Sequence, residues 1–188
     1  MTGDETCAAF DSLSRARAGD ASAFAALVRQ HQRLVYSLAL RMLADRYRAE
    51  DLAQDVFLQL HRKLGAIESA AHLKFWLCKV TTHLAIDRLR QERRHETVPL
   101  DDDPGIECEA LSADPLLHRS LHAFIAQLSP AARAVVVLRF QEDMDPSEIA
   151  ETLDMSVNTV KSHLRRSLEA LREKFQGAAG ADAEAASP

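Results

Sequence analysis

The sequence predicts an all-α protein made of two small helical domains joined by a flexible acidic linker. Three observations carry this reading. Ala, Leu, Arg and Glu are abundant, aromatics are only 5% of the 188 residues, and β-branched runs are few. Apolar residues recur at helical spacing on both sides of residue 100. Between the two helical blocks, Glu96–Pro115 has turn dipeptides, no apolar periodicity and one sign of charge. Residues 96–114 hold seven acids (Glu96, Asp101, Asp102, Asp103, Glu107, Glu109 and Asp114) and no Lys or Arg.

The elements follow in chain order. Gly19-Asp20 offers the start of a first long helix, with Phe24, Leu27, Val28, Leu34, Val35, Leu38 and Met42 on one face. A second helix is expected from about Arg48 to Leu64, ended by Gly65 as a C-cap. Ala49, Leu52, Val56, Leu60 and Leu64 form its buried stripe. At roughly 100° per residue, Glu50, Asp51, Gln54, Asp55 and Leu58 fall on the opposite side. A third helix is expected over about Ala71 to Arg94, with Leu73, Leu77, Val80 and Leu84 inward. Thr82 and His83 then lie on an exposed turn ahead of the basic cluster Arg88, Arg90, Arg93 and Arg94.

The second block has a helix over Leu116–Leu128. Ser129-Pro130 caps and opens the next, which runs to Phe140. Asp145-Pro146-Ser147-Glu148 is close to a capping box for a short helix ending at Leu153. The turn Asp154-Met155-Ser156 leads into a longer helix, capped by Ser156 and running to about Phe175. This is helix-turn-helix spacing, with Ile149, Ala150, Leu153, Val157, Val160 and Leu164 able to lock the pair. Asn158, Thr159, Lys161, Ser162, Arg165 and Arg166 remain on the outer face of the second helix. Gly177–Pro188 is Ala- and Gly-rich and reads as a disordered tail.

Composition excludes several classes. No apolar stretch approaches the roughly 18 residues of a membrane span. Met1–Ala9 is acidic and lacks the basic and apolar regions of a signal peptide. Cys7, Cys78 and Cys108 are odd in number and far apart, so a disulfide framework is not expected and the cytoplasm is the default compartment. Cysteines and histidines show no ligand spacing. There is no nucleophile elbow and no phosphate-cradling Gly loop, so neither a cofactor, a metal nor an enzyme is expected. The net charge of −5 hides an uneven distribution. Residues 20–94 hold 13 Lys and Arg against 8 Asp and Glu, and residues 157–174 hold five against two. Two basic patches flank an acidic strip, which suits a polyanionic partner. A helix start in the major groove brings short polar side chains to base edges, and Lys or Arg a turn or two later reach phosphates.

Ser147–Leu164, read as SEIAETLDMSVNTVKSHL, resembles the promoter −35-binding helix-turn-helix of bacterial sigma factors. Ala49–Leu60, AEDLAQDVFLQL, resembles the polymerase-binding helix of their second domain. Phe75–Arg90, FWLCKVTTHLAIDRLR, resembles the −10-element segment that follows it. The short linker leaves no room for a further domain, so the architecture resembles the extracytoplasmic-function (ECF) class, with sigma domains 2 and 4 alone. The departures are Asp154 for a common turn Gly, Asn158 for Gly, His163 for Arg, and His83 for Asn; they bear on promoter preference.

The resemblance implies a division into a lead-in (1–19), sigma domain 2 (20–95), the acidic linker (96–115), sigma domain 4 (116–176) and the tail (177–188). It implies a non-enzymatic subunit that binds core RNA polymerase and directs promoter recognition, for a stress or envelope regulon. Glu50, Asp51, Gln54, Asp55 and Leu58 would meet the β′ clamp helices, and the β flap is the second polymerase contact. Phe75, Trp76, Lys79, Thr82, His83, Arg88, Arg90, Arg93 and Arg94 would bind −10 DNA, although Phe75 and Trp76 could both be core residues. Ser156, Asn158, Thr159, Lys161, Ser162, Arg165 and Arg166 would bind −35 DNA. Regulation stays open between an anti-sigma factor, the tail and expression level. The alternatives are a helix-turn-helix regulator that works without polymerase and, more weakly supported, a hydrolase or metal enzyme.

In related sigma factors the connector occupies the channel where nascent RNA later runs. Self-repulsion keeps seven like charges extended, and an acidic peptide mimics RNA in a basic channel. Replacing Asp101, Asp102, Asp103, Glu107 and Glu109 with Ser and Asn should therefore lower holoenzyme affinity, most at low salt. It should also change the ratio of abortive to full-length transcripts. The same affinity and ratio would make the linker an inert spacer.

Overall fold

A computed structural model of the chain describes residues 12–95 and 115–184. Every regular element among them is helical. They fall into two compact units, divided between Cys108 and Glu109. The acidic linker lies outside the described residues, apart from Pro115, which opens a helix.

The first unit has a helical segment at residues 12–17 (α1), then α2 (Ala21–Leu43), α3 (Arg46–Lys63), a single 3-10 turn (Leu64–Ala66) and α4 (Ala70–His95). Asp20 caps α2, as the Gly19-Asp20 signal predicts. Its carboxylate accepts from the Ser22 and Ala23 amides at 2.9 and 3.1 Å. The Ser22 hydroxyl, the Ala23 amide and Arg15 together hold that carboxyl well below the usual carboxylate range. Ala44, with φ 55°, ends α2 in the left-handed region. Asp45 then caps α3 by accepting from the Arg48 amide at 2.9 Å. The helix thus begins at Arg46, two residues earlier than its apolar spacing suggests. Gly65 does not act as a left-handed C-cap; the chain tightens into the 3-10 turn there.

The core of this unit is where α2, α3 and α4 pack on one another. Leu27, Val35, Leu38 and Met42 of α2 meet Leu52, Val56 and Leu60 of α3 and Leu73 and Leu77 of α4, all at most 1% exposed. Each such Leu or Met contributes about 1.5–3 kcal/mol by leaving water. Ala39, Ala49 and Ala85 are fully buried, so small side chains let the helices approach closely. The face of α4 differs from expectation. Val80 and Leu84 are only half-buried, while Cys78, Thr81, Thr82 and Ala85 are fully enclosed. Thr81 and Thr82 satisfy their hydroxyls within the helix, donating to the Leu77 and Cys78 carbonyls at 2.6 and 2.8 Å. A threonine bonded in this way can be buried with little polar cost, and hydrophobic periodicity does not detect it.

The second unit has α5 (Pro115–Gln127), α6 (Pro130–Gln141), α7 (Pro146–Thr152) and α8 (Val157–Glu184). Ser129 caps α6. The capping box before α7 is complete: the Asp145 side chain accepts from the Ser147 and Glu148 amides, and Glu148 accepts from the Asp145 amide at 2.7 Å. Arg133 of α6 is buried and donates to the Ala126 carbonyl near the end of α5. Arg139 fastens the α6–α7 turn through the Met144 carbonyl at 3.1 Å. Asp154 takes the left-handed conformation, φ 51°, between α7 and α8, one that Asp tolerates better than most residues. Unlike the helix expected to end near Phe175, α8 continues to Glu184. Residues 178–184 are mostly Ala, and extending a formed helix needs no new nucleus. Only residues 185–188 of the expected tail lie outside the described residues.

Ala44 carries a Cβ in a conformation that costs roughly 1 kcal/mol more for Ala than for Gly. Ala44→Gly should raise the stability of the first unit by about that amount. The single Trp, Trp76, lies in α4, so its fluorescence during urea unfolding reports on this unit. An unchanged or lower midpoint would show that Ala44 is unstrained.

Candidate functional site

The outer face of α3 is as expected. Burial of Ala49, Leu52, Val56 and Leu60 leaves Glu50, Asp51, Gln54 and Asp55 exposed, and Leu58 is 57% exposed among them. Periodicity missed what lies beside this stripe. Phe24, Val28 and Tyr36 of α2 and Phe57, Leu58 and His61 of α3 line a groove of about 1130 Å³, with Glu50 and Gln54 on its lining. Phe24 and Val28 are therefore half-buried groove walls and not core members. The Phe24 and His61 rings meet edge to face at 5.1 Å. The available signal was a second apolar row on α3, Ala53–Phe57–His61 at i, i+4, i+8, one position on from the core row.

Along α4, Phe75, Trp76, Lys79 and His83 are half-buried, and Arg90 and Arg93 are exposed. Arg94 lies in the last turn of the helix. Thr82 is a correction: it is fully buried, its hydroxyl held by the Cys78 and Lys79 carbonyls. It cannot share an exposed turn with His83, because α4 packs that side against the other helices. Arg88 also departs from a free phosphate-binding role. Its guanidinium donates to Asp55 Oδ2 at 2.5 Å and to the Arg48 carbonyl at 3.2 Å. Beside it, Arg48 pairs with Glu92. The basic end of α4 is thus bound to the start and middle of α3.

In the second unit, Ile149, Ala150, Leu153 and Val160 are buried, and Val157 and Leu164 are half-buried. This lock leaves Asn158, Thr159, Lys161, Arg165 and Arg166 exposed, with Ser162 half-buried. Ser156 caps α8 by accepting from the Thr159 amide at 3.1 Å, and its hydroxyl meets that of Thr159 at 2.8 Å. Arg165 lies 3.5 Å from Glu169, an exposed pair of little energetic weight. The result is a capped helix start with short polar side chains, followed one and two turns later by cations. No cluster of three or more potential metal ligands occurs among the described residues. No helix among them is long and apolar enough to cross a membrane.

Comparison with known proteins agrees with this geometry. The family described as Sigma-70 region 2 matches residues 27–95, and Sigma-70, region 4 matches residues 118–171. The chain is 27% identical over 180 residues to the ECF RNA polymerase sigma factor SigW of Bacillus subtilis, covering 87% of this chain and 95% of that one. It is 30% identical over 168 residues to the ECF RNA polymerase sigma factor SigL of Mycobacterium tuberculosis, with the same coverage of 87% and 95%. Among solved structures, the fold is similar to the sigma factor RpoE of Bartonella quintana, solved in complex with the anti-sigma factor NepR. The TM-score is 0.69 at 19% identity, over 81% of this chain and 96% of that one.

Proposed function

We propose how this chain, which belongs to the ECF class of RNA polymerase sigma factors, divides promoter recognition between its two units. The first unit binds core polymerase through α3 and captures the −10 non-template strand along α4. The second reads the −35 duplex with α8 and meets the β flap. The family acts without catalysis, and nothing in the mechanism needs a catalytic group: binding energy that favours flipped over stacked bases opens the duplex. The chain works in the cytoplasm, where polymerase is, and directs it to a stress or envelope regulon. An anti-sigma factor is a fitting regulator, since the structurally similar RpoE was solved in complex with one.

The observation that carries the polymerase interface is the acidic face of α3 beside an apolar groove. Acids around an exposed Leu suit a basic helix with apolar anchors, such as the β′ clamp helices. The groove supplies the desolvated pocket that a flat charged stripe lacks. Glu50, Asp51, Gln54, Asp55 and Leu58 all stay in this reading. On the DNA side, His83, Lys79, Arg90 and Arg93 are at least partly accessible, and Phe75 and Trp76 are half-buried. Thr82 acts from inside, as packing.

Leu58→Ala should weaken competition for core polymerase by about tenfold, roughly 1.4 kcal/mol. It should leave the unfolding midpoint unchanged, because the side chain is mostly in solvent. Normal competition by this variant would remove α3 from the polymerase interface.

Lys161→Ala and Arg165→Ala should each weaken −35 binding and lower the salt slope of the duplex complex by about 1. Filter binding of holoenzyme to promoter DNA over a salt series measures this. An unchanged slope in both variants would take these residues off the phosphates.

A further inference from the structure

An acid assigned to polymerase and a base assigned to DNA are bonded to each other. Arg88 of α4 donates to Asp55 of α3 at 2.5 Å, while its second terminal nitrogen reaches the Arg48 carbonyl at 3.2 Å. We propose that Arg88 is a shared residue, withheld from DNA by Asp55 in the free protein and released to a backbone phosphate when polymerase engages Asp55. This rests on the functional reading given above.

The geometry makes such an exchange feasible. The Arg88 side chain is 28% exposed and the Asp55 side chain 53%, so the pair sits at the edge of the domain with the acid turned towards solvent. A half-exposed pair is worth about 1 kcal/mol at most. A cation on polymerase that reaches Asp55 can therefore displace Arg88. The helix need not move when the pair opens. Leu89, Ile86 and Ala85 stay buried on the inner side of α4, and the Arg48–Glu92 pair still joins α3 to α4. Arg90 and Arg93, both exposed, lie about 200° and 140° round the helix axis from Arg88. The freed guanidinium therefore reaches a phosphate on the α3 side of the helix end, apart from theirs. It keeps a planar fork matched to phosphate. In the free protein that fork is divided between the Asp55 carboxylate and the Arg48 carbonyl, and both bonds open when it turns to a phosphate; the carboxylate meanwhile lowers the cationic character of α4. Polymerase binding then raises DNA affinity with no change of fold. The two ligands are coupled, and the coupling is reciprocal.

The test uses the full chain and a fluorescein-labelled twelve-nucleotide thymidine oligomer, which reads phosphate contact without promoter sequence. Anisotropy titrations over a salt series compare wild type, Asp55→Asn, Arg88→Ala and the double variant, without polymerase. Asp55→Asn should bind about two- to fivefold more tightly, the scale of an opened surface pair. Its salt slope should steepen by about 0.7, one more phosphate contact on a single strand. The gain should vanish when Asp55→Asn is added to Arg88→Ala, since no guanidinium is left to release. Absence of a gain in Asp55→Asn overturns the proposal. So does an equal gain in both backgrounds, which reduces the effect to loss of a negative charge. Trp76 fluorescence during thermal unfolding checks folding, and Asp55→Ala repeats the cycle should Asp55→Asn unfold below the assay temperature. Core polymerase binding by the wild-type preparation separates the two ideas. Binding to core without Arg88–Asp55 coupling sinks the exchange alone, whereas failure to bind core sinks the functional reading and the exchange with it.

Discussion

One stripe of α3 goes into the core, and most of what the first unit presents to other molecules follows from it. Ala49, Leu52, Val56 and Leu60 are fully buried against α2 and α4. A helix turns by roughly 100° per residue, so burying these four leaves no freedom for Glu50, Asp51, Gln54, Asp55 and Leu58, which must face solvent. The same packing sets the width of the groove, because Phe57 and His61 lie at the boundary between the buried and the open face. A surface of acids beside an apolar trough is thus a by-product of core packing that a basic, amphipathic partner can use.

The second unit solves a different problem, the angle between two short helices. Asp145 and Glu148 close the start of α7, Asp154 turns the chain through the left-handed region, and Ser156 closes the start of α8. These local hydrogen bonds satisfy amides that the helix ends would otherwise leave open. With Ile149, Leu153 and Val160 locked inside, the outer face of α8 has one orientation. The residues that reach DNA in the proposed reading are therefore held by core contacts and by the cap that Ser156 and Thr159 form together.

Within the first unit, α4 carries two kinds of surface. It supplies core side chains along one side and a basic end on the other, and Arg88 crosses to α3. Its buried threonines keep their hydroxyls bonded to their own helix. The helix can therefore be enclosed over a broad arc without a continuous apolar stripe. Such a helix has a weak amphipathic signature, which is why its inward face is the least readable in the sequence.

The sequence by itself determined the fold class, the two helical blocks, the caps at Asp20, Ser129, Asp145 and Ser156, and the exposed rows on α3 and α8. These depend on contacts within a few residues, which are written into spacing and residue type. Only the tertiary structure decided that Thr82 is enclosed, that Phe24 and Val28 line a groove and leave the core, and that Arg88 is bound to Asp55, 33 residues earlier in the chain. Each of these depends on which helix lies across which face. Periodicity along one helix places its side chains around that helix's own axis, but it carries no information about the neighbour that covers them.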